Sequence, residues 1–126
     1  MSTKPVYINL FKIKLPLSAF LSITHRVSGI LIFFIVLPVS AYILNILFES
    51  QSSYLLFIDT FNSSIFLRTF VLFNIIIFEY HVITGLRHML MDFHLINETL
   101  AASNTSAIVA LVAFTLNALL TIWLLI

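Results

Sequence analysis

Three long runs, nearly free of formal charge, decide what this chain can be. From Val27 to Phe48 there are 22 residues without Asp, Glu, Lys or Arg. A helix of that length reaches about 33 Å, enough to cross a bilayer. Arg68 and Arg87 bracket a second run of 18 residues, about 27 Å as a helix, with Glu79 inside it. From Thr105 to Ile126 a third run carries no charge. Lipid offers the backbone no hydrogen bonds, so such runs read as helices. The expected architecture is all-α and integral to a membrane, with three transmembrane helices at about 22–48, 65–90 and 105–126. Residues 1–126 form one membrane domain. Residues 1–21 make a segment on the inner face, 49–64 a polar outer loop and 91–104 an inner loop. Pro38 predicts a kink in the first span.

Composition agrees where it matters. The chain is 61% hydrophobic and 9% charged, too apolar for a soluble domain. Cysteine is absent, which excludes disulfides and thiolate or iron–sulfur ligation by this chain. Three helices are too few to enclose a large cofactor alone, which implies a partner subunit or a homo-oligomer. The first 21 residues do not read as a cleavable signal, because basic residues continue to Lys14 and no small-residue cleavage site follows. Lys4, Lys12, Lys14, Arg26 and Arg87 fall on one side of the expected spans and Arg68 on the other. The positive-inside rule puts the N-terminus and the 91–104 loop inside.

Two polar stretches stand out against this background. At the start of the first span lies Ser22-Ile-Thr-His-Arg-Val-Ser-Gly29. Ser22, His25, Arg26 and Gly29 follow the i, i+3, i+4, i+7 pattern of one helix face. At the end of the second span lies Glu79-Tyr-His-Val-Ile-Thr-Gly-Leu-Arg-His-Met-Leu-Met-Asp92. His81 and His88 are two turns apart and within about 20° of one another on a helix. Gly85 lies between them, Asp92 continues the face, and Asn74 lies two turns the other way. In the expected topology both stretches meet at the inner boundary, with His81 about 10 Å deeper than His88.

These residues admit more than one chemistry. An intramembrane imidazole is a ligand for haem iron, a hydrogen-bond partner for a neighbouring helix, or a station on a proton path. Gly85 leaves room for something flat and wide, or permits a close helix contact. Arg26 reads as an interfacial anchor, or, with Ser22 and His25, as a binding group for quinone carbonyls or haem propionates. Glu79 sits about 200° around the helix from His81. A carboxylate there costs roughly 2.5–3.5 kcal/mol on insertion scales. It reads as a polar contact with a partner subunit, or as the coupling group of a proton-driven transporter.

The two stretches together resemble the paired signatures of a known family. The pattern from Ser22 to Gly29 is similar to the segment at the first helix of the cytochrome b membrane-anchor subunits of succinate dehydrogenase. The pattern from His81 to Asp92 is similar to their second signature. Lys4-Pro-Val-Tyr-Ile-Asn-Leu and Lys14-Leu-Pro resemble the N-terminal segment of the bacterial members, and the three-span plan agrees.

The resemblance implies a subunit of succinate:ubiquinone oxidoreductase, in the tricarboxylic acid cycle and respiratory electron transfer, with no succinate-oxidising site of its own. It would form half of a heterodimeric bundle with a second three-helix anchor. The two anchors hold one haem b and carry the iron–sulfur and flavoprotein subunits, with no nucleic acid involved. His81 matches the axial ligand of the haem iron, Ser22 and Arg26 the quinone site, and His25, Arg26 and His88 the haem propionate region. Asp92 lies where a proton relay to ubiquinone is expected. Glu79 departs from the pattern, which leads one to expect an apolar or small residue. The expected location is a bacterial inner membrane with the N-terminus in the cytoplasm; the alternative is the mitochondrial inner membrane.

Overall fold

The computed structural model describes residues 14–97 and 99–125. The expectations for residues 1–13 lie outside the described residues. The described chain is helical apart from short connections: α1 (Leu17–Leu31), a π-helical segment (Ile32–Val36), α2 (Leu37–Glu49), α3 (Gln51–Ser63), α4 (Ile65–Asp92) and α5 (Leu100–Leu125). Helix α1, the π segment and α2 form one rod of 33 residues, Leu17–Glu49. Among the described residues this rod, α4 and α5 are long and apolar enough to cross a membrane.

All three expected spans are present, and each extends beyond its expected bounds for a local reason. The rod starts at Leu17 because Phe20 N–H already reaches the Pro16 carbonyl, at 3.1 Å. In the same turn, Ser18 N–H is capped from α5 by Asn104 Oδ1, at 3.1 Å. A polar residue that reads as loop in isolation thus satisfies an orphan donor at another helix's end. Helix α5 likewise starts at Leu100, with Thr99 Oγ1 accepting from Ala102 N–H at 3.2 Å. Helix α4 runs to Asp92 and stops in a Schellman turn. His94 there adopts φ 56°. Leu95 N–H returns to the Leu90 carbonyl and His94 N–H to that of Met91.

Pro38 is accommodated by a change of helix type just before it. Its missing N–H and bulky ring disfavour α-helical bonding to the turn before it. The chain answers with a π turn over Ile32–Val36, in which Leu37 N–H bonds five residues back to Ile32.

The expected outer loop at 49–64 is not a loop. Gln51–Ser63 is a helix, packed on α2 and α4. Ser50 Oγ accepts from Ser53 N–H at 3.1 Å and caps its start. Ser64 Oγ then caps α4 through Leu67 N–H at 3.3 Å. Two of the serines in this polar stretch, Ser50 and Ser64, are thus N-caps. Tyr54, Phe57, Ile58 and Phe61 between them follow helical spacing, and the Phe57 and Phe61 rings lie 6.2 Å apart.

The interior is small and unusually polar. Leu21, Ala107 and Ala110 form an apolar cluster where α1 meets α5, with Ile83 of α4 against it. Ser28, Asn74, Thr84, Arg87 and Ser103 are as buried as the apolar core. Large side chains such as Phe33, Phe34, Phe66 and Trp123 face outward. This is the arrangement expected where lipid or a partner covers the outside and polar groups find partners within.

Candidate functional site

Helices α1 and α4 meet through histidines and glycines. The His25 ring of α1 stacks on the His81 ring of α4, centroids 4.2 Å apart and planes 13° from parallel. His88 stands beside His25, with centroids 5.0 Å apart and planes tilted by 53°. The chain has two glycines, and each seats the other helix's histidine. A Cβ on Gly29 would meet His81 Cε1 at 3.2 Å, and one on Gly85 would meet His25 Nε2 at 3.0 Å. The space expected beside Gly85 is therefore taken by the His25 ring. Glycine here serves a close side-chain approach.

Ser28 ties this arrangement together. It is buried, its hydroxyl donates to the His25 carbonyl at 2.7 Å, and its Oγ lies 2.9 Å from His81 Nδ1. Thr84 is fully buried and bonds back to the Tyr80 carbonyl at 2.7 Å. Thr24 Oγ1 and the Tyr80 hydroxyl share a hydrogen bond between the same two helices.

The cluster is under-satisfied. His25 Nε2 and His88 Nε2 are buried and have no hydrogen-bond partner among the described residues. An unmet buried polar group costs about 1–3 kcal/mol. Two such nitrogens beside a third imidazole mark a place suited to an acceptor-rich group. The residues present would suit a haem: an imidazole for the iron, and two further imidazoles with a nearby guanidinium for its carboxylates. His88 lies in the field of Arg26, Arg87 and Asp92.

The residues singled out in the sequence separate as follows. His25, His81 and His88 come together. Arg26 and Asp92 are exposed and Ser22 is half-buried at the same end of the α1–α4 pair. Glu79 turns away from the cluster, and its partner is within the chain: Thr121 of α5 donates to Glu79 Oε1. The other oxygen, Oε2, is buried without a partner among the described residues.

Two residues escaped sequence reasoning. Ser28 lies three residues after His25, on the same face, and that spacing was its signal. Arg87 read as a boundary charge, yet it is 3% exposed. Its Nε donates to Ser106 Oγ at 3.0 Å, and its Nη2 to the Ser103 carbonyl at 2.9 Å and Ser103 Oγ at 3.1 Å. Of its acceptors, Ser106 lies in the expected third span, and Ser103 lies one turn earlier, in residues expected to be loop.

Fold and site together define an all-helical, multi-span membrane protein with an imidazole cluster between two of its spans. Residues 1–122 match the model of the succinate dehydrogenase/fumarate reductase transmembrane subunit family. The chain belongs to that family. Among curated proteins it is similar to a succinate dehydrogenase cytochrome b560 subunit from Porphyra purpurea. The two are 35% identical over 75 residues, and the match covers 60% of this chain and 60% of that relative.

Proposed function

We propose that the chain is the cytochrome b membrane anchor of a succinate:ubiquinone oxidoreductase. It holds haem b jointly with a second three-helix anchor and forms part of the ubiquinone-reduction site. The observation that carries this reading is the cluster of three histidines with two buried, unmatched Nε2 atoms, in a chain of this family.

In this reading His81 is the residue of this chain that would hold the haem iron, together with a histidine of the partner anchor. His25, Arg26 and His88 would offer hydrogen bonds and charge to the haem propionates. When bound, the haem supplies a one-electron carrier. Ser22 and Arg26 bind ubiquinone through its carbonyl oxygens, where a hydroxyl donor and a cation stabilise the negative charge that develops on reduction. Asp92, exposed at the end of α4, passes protons toward that site. The iron–sulfur and flavoprotein subunits dock on the face that carries Arg26 and Asp92. That face is the inner one, with the N-terminus on the same side of an energy-coupling inner membrane. Lys4, Lys12, Lys14 and Arg26 support this orientation by the positive-inside rule.

The test is a reduced-minus-oxidised visible spectrum of the chain purified with its native partners in mild detergent. A sharp b-type α-band, with flavin and iron–sulfur subunits co-purifying, is expected. The same partners without a band would leave an anchor without haem and remove His81 from its assigned role.

A further inference from the structure

We propose that Ser28 is a positioning residue for His81. Its hydroxyl holds that imidazole with the proton on Nδ1 and so presents an unprotonated Nε2. The inference rests on the haem reading for its functional meaning and deepens it.

The argument is one of counting protons. Ser28 Oγ contacts two groups, the His25 carbonyl oxygen at 2.7 Å and His81 Nδ1 at 2.9 Å. A hydroxyl has one proton, and a carbonyl oxygen can only accept. The hydroxyl proton therefore goes to the carbonyl, which is also the shorter contact. What remains on Oγ for His81 is a lone pair, and the contact is a hydrogen bond only if Nδ1 carries the proton. Neutral imidazole has one N–H, so Nε2 is left bare, which is the form that ligates iron. The opposite tautomer would set two lone pairs against each other inside a site where Ser28 is 5% exposed.

The surroundings keep the ring where this bond can act. Gly29, the residue after Ser28, lies against the ring edge, with room for little more than a hydrogen. The His25 ring stacks on His81, while the His25 carbonyl orients the serine. Ser28 thus relays the position of α1 to the ring on α4. Metal-bound histidines generally donate their second N–H in this way. The bond fixes the ring and raises its basicity, and losing such a partner costs about 10- to 100-fold in metal affinity.

The experiment compares Ser28→Ala and Ser28→Thr with the parent, in the complex purified with its partner subunits. Haem affinity and the haem midpoint potential are read. Ser28→Ala should lower affinity about 10- to 100-fold. It should also move the potential upward, because a less basic imidazole stabilises the ferric iron less. Ser28→Thr retains a hydroxyl and should restore both. In parallel, ring-15N NMR is recorded on the full chain in lipid nanodiscs, prepared from haem-starved cells, with His81 assigned by its loss in His81→Gln. The parent should show Nδ1 protonated, and Ser28→Ala should lose that preference.

A parent with the proton on Nε2, or an alanine variant with unchanged tautomer and potential, overturns the proposal. If Ser28→Ala does not assemble, the parent tautomer and the threonine variant decide it. If the parent complex carries no b-type haem, the haem reading fails by itself. The 15N pattern then still decides what Ser28 does to His81.

Discussion

On one side of α4, Arg87 gives three hydrogen bonds to Ser103 and Ser106 of α5. On the side facing α1, His25 and His88 each keep a buried Nε2 without any. Both interfaces bury polar groups among apolar helices, and the difference lies in how far the chain completes them. The α4–α5 interface is completed at Arg87, while Glu79 Oε2 stays buried without a partner among the described residues. The guanidinium is matched, Glu79 takes a proton donor from Thr121, and Leu21, Ala107 and Ala110 pack close by. The α1–α4 interface has tight ring packing yet leaves donors and acceptors over. A partly satisfied buried network is poor cement. Beside a stacked pair of imidazoles, such a network supports the proposed reading of this interface as a ligand site.

The comparison breaks most completely at His81. His81→Leu should abolish the b-type band while the four subunits still co-purify, because the α4–α5 contacts are untouched. Loss of assembly together with the band would mean that the cluster is structural after all. The glycine seats come next. Gly85→Ala puts a Cβ 3.0 Å from His25 Nε2, and Gly29→Ala puts one 3.2 Å from His81 Cε1. Alanine also favours a helix by about 0.5–1 kcal/mol over glycine. Each variant should therefore keep or slightly raise the thermal stability of helicity by circular dichroism, yet release haem several-fold more readily on heating. A parallel fall in both would show that the glycines serve general helix packing.

Much of this was readable from the residues, and the exceptions have physical causes. The spans follow from charge-free runs, and His25, His81 and His88 share faces by simple helical spacing. The helix Gln51–Ser63 was hidden because serine suits both turns and N-caps, and only the Tyr54, Phe57, Ile58, Phe61 spacing argued for the second use. Arg87 was hidden because a boundary arginine and a buried one look alike in one dimension. What separates them is a pair of serines 16 and 19 residues further on. The filling of the Gly85 gap by His25 was hidden for the same reason. Faces can be read along one helix, but which side chain enters which gap depends on two helices meeting.

Arg87 tests the α4–α5 interface. Arg87→Met keeps the apolar stem and removes the fork, leaving the Ser103 and Ser106 hydroxyls to bond back to their own helix, as Ser106 already does at 2.8 Å. Hydrogen bonds between membrane helices average well below their value in isolation. The expected loss is about 1–2 kcal/mol, read as a lower unfolding midpoint of the purified complex with an unchanged α-band position. An altered band would place Arg87 in the haem environment through His88, its neighbour in sequence, and would erase the distinction between the two interfaces.

Glu79 gives the smallest expected effect and the sharpest choice between functions. Its Oε1 accepts from Thr121, and a carboxamide oxygen accepts equally well. Glu79→Gln therefore preserves the contact to α5. It removes only the charge or acidic proton of a group that faces away from the histidines. Stability should change by less than about 0.5 kcal/mol, and quinone reductase activity and haem content should be those of the parent. A proton-coupled transporter that used this carboxyl would lose activity entirely on the same substitution. An inactive Glu79→Gln variant with normal haem would put Glu79 on a proton route. The buried Oε2, which has no partner, would then be the atom to follow, and the α4–α5 interface would no longer count as structural alone.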